Sequence, residues 1–208
     1  MKKRFLPNDI KDLENIYYGN DNDRKKRYEG HVDSETIDPK RETRAKEILN
    51  GFGESQKIPR RTNRTPDYEI VKNRIVYEIT SIQLSEDERI SHDVRQRNER
   101  DFVNDINEKI EHALEKDYSY FQDYLRGVVI FYDEVLSSLT KYVEYVSNRS
   151  IIEKTIFKKS DIDFMVIEPI PHSSNKKLVH VVYVKENKTL ETFKNKFPKE
   201  FEIICVDC

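Results

Sequence analysis

Tryptophan is absent from this 208-residue chain, and glycine (five), histidine (five) and cysteine (two) are scarce. Each shortage removes a class of function. Gly19, Gly30, Gly51, Gly53 and Gly127 spell neither a GxGxxG dinucleotide fingerprint nor a GxxxxGK[ST] phosphate loop. His31, His92, His112, His172 and His180 make no HExxH pair and are assigned no role. Two cysteines are too few for a four-cysteine zinc site or a disulfide framework. Cys205 and Cys208 stand as CxxC and are expected to be reduced, read either as thiols with no partners or as a pair that bonds a metal or a second subunit. No apolar run approaches the ~18 residues that span a bilayer, so no membrane association is expected. The basic opening Met1–Arg4 has no apolar stretch behind it, unlike a secretory signal, and a cytoplasmic protein is the expectation.

Charge is what the chain has in quantity. Charged residues make up 37% and the apolar types 36%, with 37 Lys and Arg against 39 Asp and Glu, for a net charge of −2. Chemistry on such a chain has to rest on carboxylates, lysines and hydroxyls. The charges are unevenly spread. Between Lys40 and Arg64 the basic residues Lys40, Arg41, Arg44, Lys46, Lys57, Arg60, Arg61 and Arg64 face only Glu42, Glu47 and Glu54. Lys57, Arg60, Arg61 and Arg64 concentrate the excess. Two readings stand: a strip that contacts nucleic-acid phosphates, or a solvated loop.

Length and pattern predict one α/β domain over residues 38–208, preceded by an extension over 1–37 with a short helix from Ile10 to Tyr18. Asp38-Pro39 is a favoured helix start, and Ala45, Ile48, Leu49 and Phe52 recur at helical spacing up to Gly51. Two β-branched and aromatic runs follow, 66–71 and 74–82, separated by Lys72-Asn73 as in a hairpin. A helix is predicted over 97–116, with Phe102, Val103, Ile106, Ile110, Ala113 and Leu114 inside. Strands at 128–132, 162–167, 178–184 and 201–206 alternate with helices at 134–146 and 189–197, which implies a mixed sheet.

The hairpin carries the chemistry. With Lys72 and Asn73 as loop residues, opposed positions sum to 145, so Asp67 faces Glu78. Opposed residues hold their Cβ atoms ~4.5–5.5 Å apart on one face. Two carboxylates that close repel unless a cation intervenes. Mg²⁺ suits the pair, since it takes one or two carboxylates and keeps several waters. Thr80 shares that face. The competing reading is an acidic face in water, with Glu69 toward the rim.

Pro66-Asp67, ten residues, then Glu78-Ile79-Thr80 at the end of an apolar strand resembles the PD-(D/E)XK nuclease superfamily. With the upstream helix and basic loop, its archaeal Holliday-junction resolvases and some restriction endonucleases are the nearest flavour. The resemblance covers roughly residues 38–116. It implies a restriction-endonuclease-like mixed sheet flanked by helices, acting on DNA. It further implies Asp67, Glu78 and the Ile79 main-chain carbonyl as Mg²⁺ ligands, with Mn²⁺ able to substitute, and a homodimer that cuts two strands with two sites. A first-helix glutamate often joins such sites; Glu42 falls nearer the apolar stripe than Glu47 and is preferred.

The motif lysine is replaced by Thr80, which supplies no positive charge. Three readings follow. The lysine has moved to the second helix, where Lys109 borders the apolar stripe beside Phe102; or metal and water act without it; or the site is degenerate and binds nucleic acid or a protein without cutting. Tyr17, Tyr18, Tyr118 and Tyr120 either stack on bases or pack at helix ends. Arg89, Arg95, Arg97 and Arg100 either contact phosphates or form a solvated face.

Overall fold

The computed structural model describes residues 39–59, 64–82, 98–133, 142–170, 179–194 and 196–206. The extension, the 10–18 helix, Arg60, Arg61, and the arginines at 89, 95 and 97 lie outside them.

Seven strands form one mixed sheet in chain order: β1 (Gln56–Lys57), β2 (Tyr68–Ile70), β3 (Ile75–Ile82), β4 (Leu125–Asp133), β5 (Phe164–Ile170), β6 (His180–Val184) and β7 (Phe201–Cys205). β1, β2 and β3 make an antiparallel meander; β3, β4 and β5 run parallel; β6 reverses and β7 runs parallel to it. The parallel pairs need crossovers, and helices supply them. Helix α1 (Pro39–Leu49) precedes the sheet. Helix α2 (Glu99–Leu114) joins β3 to β4, the short α3 (Tyr142–Val146) and α4 (Arg149–Ile152) lie between β4 and β5, and α5 (Asn187–Phe193) joins β6 to β7.

Side-chain alternation sorts the strands into two faces. On the back face Tyr68, Ile70, Ile75, Tyr77, Ile79, Val129, Phe131, Phe164 and Val182 pack under Ala45, Ile48 and Leu49 of α1 and Phe193 of α5. On the front face Ile82, Val128, Ile130, Met165 and Tyr183 pack under Phe102, Ile106, Ile110 and Ala113 of α2. A small third cluster of Ile58, Val76, Tyr118 and Phe121 lies beside the start of β3. Helix α2 starts on a capping box: the Asn98 side chain accepts from the Arg100 and Asp101 amides, and Asp101 accepts from Asn98 N at 2.9 Å.

Several expectations are corrected. The β2–β3 connection is not a two-residue turn. Val71–Asn73 form a 3-10 turn and Arg74 takes φ 51°, a left-handed conformation, because Lys-Asn lacks the glycine that a tight turn requires. The register nevertheless sums to 145: Tyr68 faces Tyr77, Glu69 faces Val76 and Ile70 faces Ile75. Glu69 is buried rather than at the rim, and Leu114 is 37% exposed rather than inside. Cys205 is disulfide-bonded, where a reduced thiol was expected. Among the described residues no helix is long and apolar enough to cross a membrane.

Candidate functional site

The antiparallel ladder ends at Tyr68–Tyr77, one position short of Asp67 and Glu78. Continuing the alternation sets Asp67, Glu69, Val76, Glu78 and Thr80 on the front face. Asp67 does local work at this end. Its Oδ2 accepts from the Ile79 amide at 2.9 Å, replacing the carbonyl that a longer β2 would have offered. Asp67 is 6% exposed, Glu69 7% and Glu78 2%, so the acidic surface expected from sequence is a buried acidic layer.

A buried carboxylate needs a compensating charge. Glu78 finds it beyond the end of α2, where Lys116 Nζ lies 2.8 Å from Glu78 Oε1 with its side chain only 5% exposed. His112 Nδ1 is 3.8 Å from the same oxygen. Positions 112 and 116 are one turn apart and share a face. Tyr118 follows Lys116 by two residues: its phenol donates to Ala113 O at 3.0 Å, and the Arg126 guanidinium sits 4.9 Å from its ring centre. Burial, with Glu78 and Asp67 negative nearby, pushes the Tyr118 phenol up, while Arg126 opposes them.

The other sequence candidates are distributed. Lys109 is not brought to Glu78; its ammonium pairs with Glu108 at 2.5 Å. Thr80 is half-buried on β3. Glu42 belongs to the back-face helix. It accepts from Tyr68 Oη at 2.7 Å and pairs with Lys57 Nζ at 3.1 Å, across the sheet from Glu78. Tyr68 stacks on Tyr77 at 5.5 Å, and burial, then Asp67 and Glu42, push the Tyr77 phenol up. Lys57 is half-exposed at the sheet edge, and Arg64 is exposed with its main-chain oxygen accepting from Asp117 N at 2.6 Å.

Sequence reasoning missed Lys116 and His112. The available signal was the stripe 109, 112, 116, which keeps one helical face. It also gave His180 no partner, whereas His180 Nδ1 lies 2.6 Å from Glu168 Oε2, and Arg44 Nε donates to Glu168 Oε1 at 2.8 Å. That triplet compensates a second buried carboxylate, on the back face.

Two carboxylates with an ammonium and an imidazole can hold a hard cation or a proton, and can settle negative charge on a substrate. Among the described residues, however, no three or more His, Cys, Asp or Glu side chains are grouped to hold a metal. Comparison of the chain with protein-family models, with curated proteins and with solved structures finds no match.

Proposed function

We propose that the protein is a metal-dependent nuclease that hydrolyses phosphodiester bonds in DNA. The observation that carries this reading is the β2–β3 register, which continued one position past Tyr68–Tyr77 sets Asp67 opposite Glu78, with the Lys116 ammonium 2.8 Å from Glu78 Oε1. The order of elements agrees with a restriction-endonuclease-like core: a helix, an antiparallel meander, a helix, then a strand parallel to the meander's last. In this reading Lys116 takes the part of the lysine that Thr80 lacks.

The donor set suits Mg²⁺ or Mn²⁺, since carboxylate and carbonyl oxygens are the hard ligands these ions prefer. Asp67, Glu78 and the Ile79 carbonyl would hold the ion. When bound, it supplies Lewis acidity and a water of lowered pKa. The chain's own groups do the rest. Lys116 offsets negative charge that develops on the phosphoryl oxygens. Lys57, Arg60, Arg61 and Arg64 attract the phosphate backbone. A homodimer with paired sites belongs to the same reading.

The burial of Asp67 and Glu78, with Asp67 Oδ2 held by the Ile79 amide and Glu78 Oε1 by the Lys116 ammonium, favours a second reading: a nuclease-like core that binds nucleic acid or a protein without cutting. Incubation of labelled duplex, junction and single-stranded DNA with Mg²⁺ or Mn²⁺ separates the two. The nuclease reading expects cleavage by wild type and none by Asp67→Asn. Intact substrates with wild type, together with salt-dependent binding that Asp67→Asn retains, support the second reading and end the first.

A further inference from the structure

Among the aromatic side chains described, only Tyr120 is exposed, at 67%. Its setting is not a loose loop tip. The segment 117–124 is pinned at both ends by main-chain bonds: Asp117 N donates to Arg64 O at 2.6 Å, and Leu125 N donates to Arg74 O at 2.7 Å. Within it, Ser119 N bonds Asp117 Oδ1 at 3.0 Å, and Phe121 N bonds Tyr118 O at 2.8 Å. Tyr118 and Phe121 anchor the segment in the cluster with Ile58 and Val76. The tyrosine between these anchors is turned outward on a fixed support. Burying a ring in a core needs no such arrangement; presenting a ring to a ligand does.

Arginines flank the segment, interleaved with Asp117, Asp123 and Asp161, the last 3.9 Å from Arg126. The main-chain oxygen of Arg64 is bonded to its first residue, Arg126 lies over the Tyr118 ring, and Arg74 pairs with Asp123 at 3.8 Å. The Arg74 pair is long and solvent-exposed, with side chains 66% and 83% accessible, so a phosphate can displace the aspartate at little cost. The segment also begins at the residue after Lys116, whose ammonium contacts Glu78. A ring four positions further on is therefore tied through the chain to the carboxylate site.

We infer that Tyr120 stacks on an unpaired base of single-stranded DNA whose backbone runs past Arg74 and Arg126. This rests on the nuclease reading for its polymer and adds its substrate class: a strand with unpaired nucleotides, since stacked bases in an intact duplex offer no face to a side-chain ring. Stacking on an exposed ring is tolerant of sequence, so base identity matters little.

The test is binding in EDTA, where nothing is cut, read by anisotropy of a labelled single strand, the same strand with abasic residues, and the matched duplex. Tyr120→Ala should weaken single-strand binding roughly 5- to 150-fold. It should leave duplex binding unchanged and bind the abasic strand as wild type does. Tyr120→Phe should keep the wild-type affinity, because the ring face and not the hydroxyl makes the contact. Equal single-strand affinity of wild type and Tyr120→Ala overturns the stacking inference and leaves the nuclease reading standing. Wild type that binds no DNA of any form ends both.

Discussion

Removal of the Lys116 charge is the sharpest test of how the acidic layer is held. Lys116→Met keeps most of the side chain's length and apolar bulk while deleting the ammonium. The Glu78 side chain is 3% exposed and that of Lys116 5%, so water cannot replace the lost partner. Breaking a buried ion pair on one side costs ~3–5 kcal/mol, because the remaining charge is stranded. For a chain of this size each kcal/mol moves Tm by ~2–4 °C, so a fall of roughly 6–20 °C is expected. His112, 3.8 Å from the same oxygen, recovers part of the loss where it is protonated. Adding Glu78→Gln to Lys116→Met removes the stranded charge, and the double variant should regain most of the stability. Urea unfolding of wild type, both single variants and the double variant measures the coupling. A Lys116→Met protein within ~0.5 kcal/mol of wild type, the range of ordinary surface substitutions, would refute the claim that Lys116 compensates Glu78. Mg²⁺ adds a second readout: a cation bound at Asp67 and Glu78 should raise the Tm of Lys116→Met more than that of wild type, since it enters where the ammonium was lost.

Two further outcomes test the frame that carries the site. A Cβ at Gly127 would run into the ring of Phe164, its neighbour across β4 and β5, so Gly127→Ala should lose ~1–3 kcal/mol in urea unfolding and regain part of it with Phe164→Leu; an additive pair of losses would count against that contact. Burial raises the Asp163 pKa above its usual value despite the Arg126 amide donating to its carboxylate at 2.7 Å. A raised carboxyl pKa means the ionised form weakens the fold at neutral pH, and the penalty lifts as pH falls through the folded-state pKa. Asp163→Asn should therefore be more stable than wild type near neutrality, with the gap closing on acidification; a gap independent of pH would show that the carboxylate's charge is not the cause.

The parts of the fold legible in the sequence are those where one side of an element is buried and its period is unbroken. The β2–β3 register came out of the sequence although its turn did not. A slip by one residue would move Tyr68, Ile70, Ile75 and Tyr77 off the back-face core. Burial of that set therefore fixes the sum of 145 whichever residues close the loop. Strand β1 was not legible because Gln56 and Lys57 are both exposed and carry no apolar pattern. The short helices α3 and α4 were not separable from sequence, since pieces below ~12 residues are marginal alone. Here packing of Val146, Ile151 and Ile152 against the front-face core supports them. Glu69 was misjudged because a sequence pattern along one strand does not show what packs over it from elsewhere in the chain.

The lysine shows the limit in one residue. A helical wheel reports an angle around the axis and nothing about height along it. Lys109, His112 and Lys116 fall within about 60° of one another on the wheel, which is silent about their level. Seven residues span ~10 Å along an α-helix, far beyond what a lysine at 109 can recover by bending its side chain. The level at which Glu78 meets the helix is set by how deep into β3 that residue sits and by the length of chain between β3 and α2. Glu78 is the fourth of eight residues of β3, level with Val128 of β4, in the half of the strand to which α2 returns. The residues nearest that end of α2, His112 and Lys116, are the ones that reach it. A cation for a carboxylate on a strand followed by a crossover helix is thus better sought by counting back from the next strand than by the wheel alone. That count places it within a turn or so of the helix C-terminus, where the macrodipole also favours positive charge.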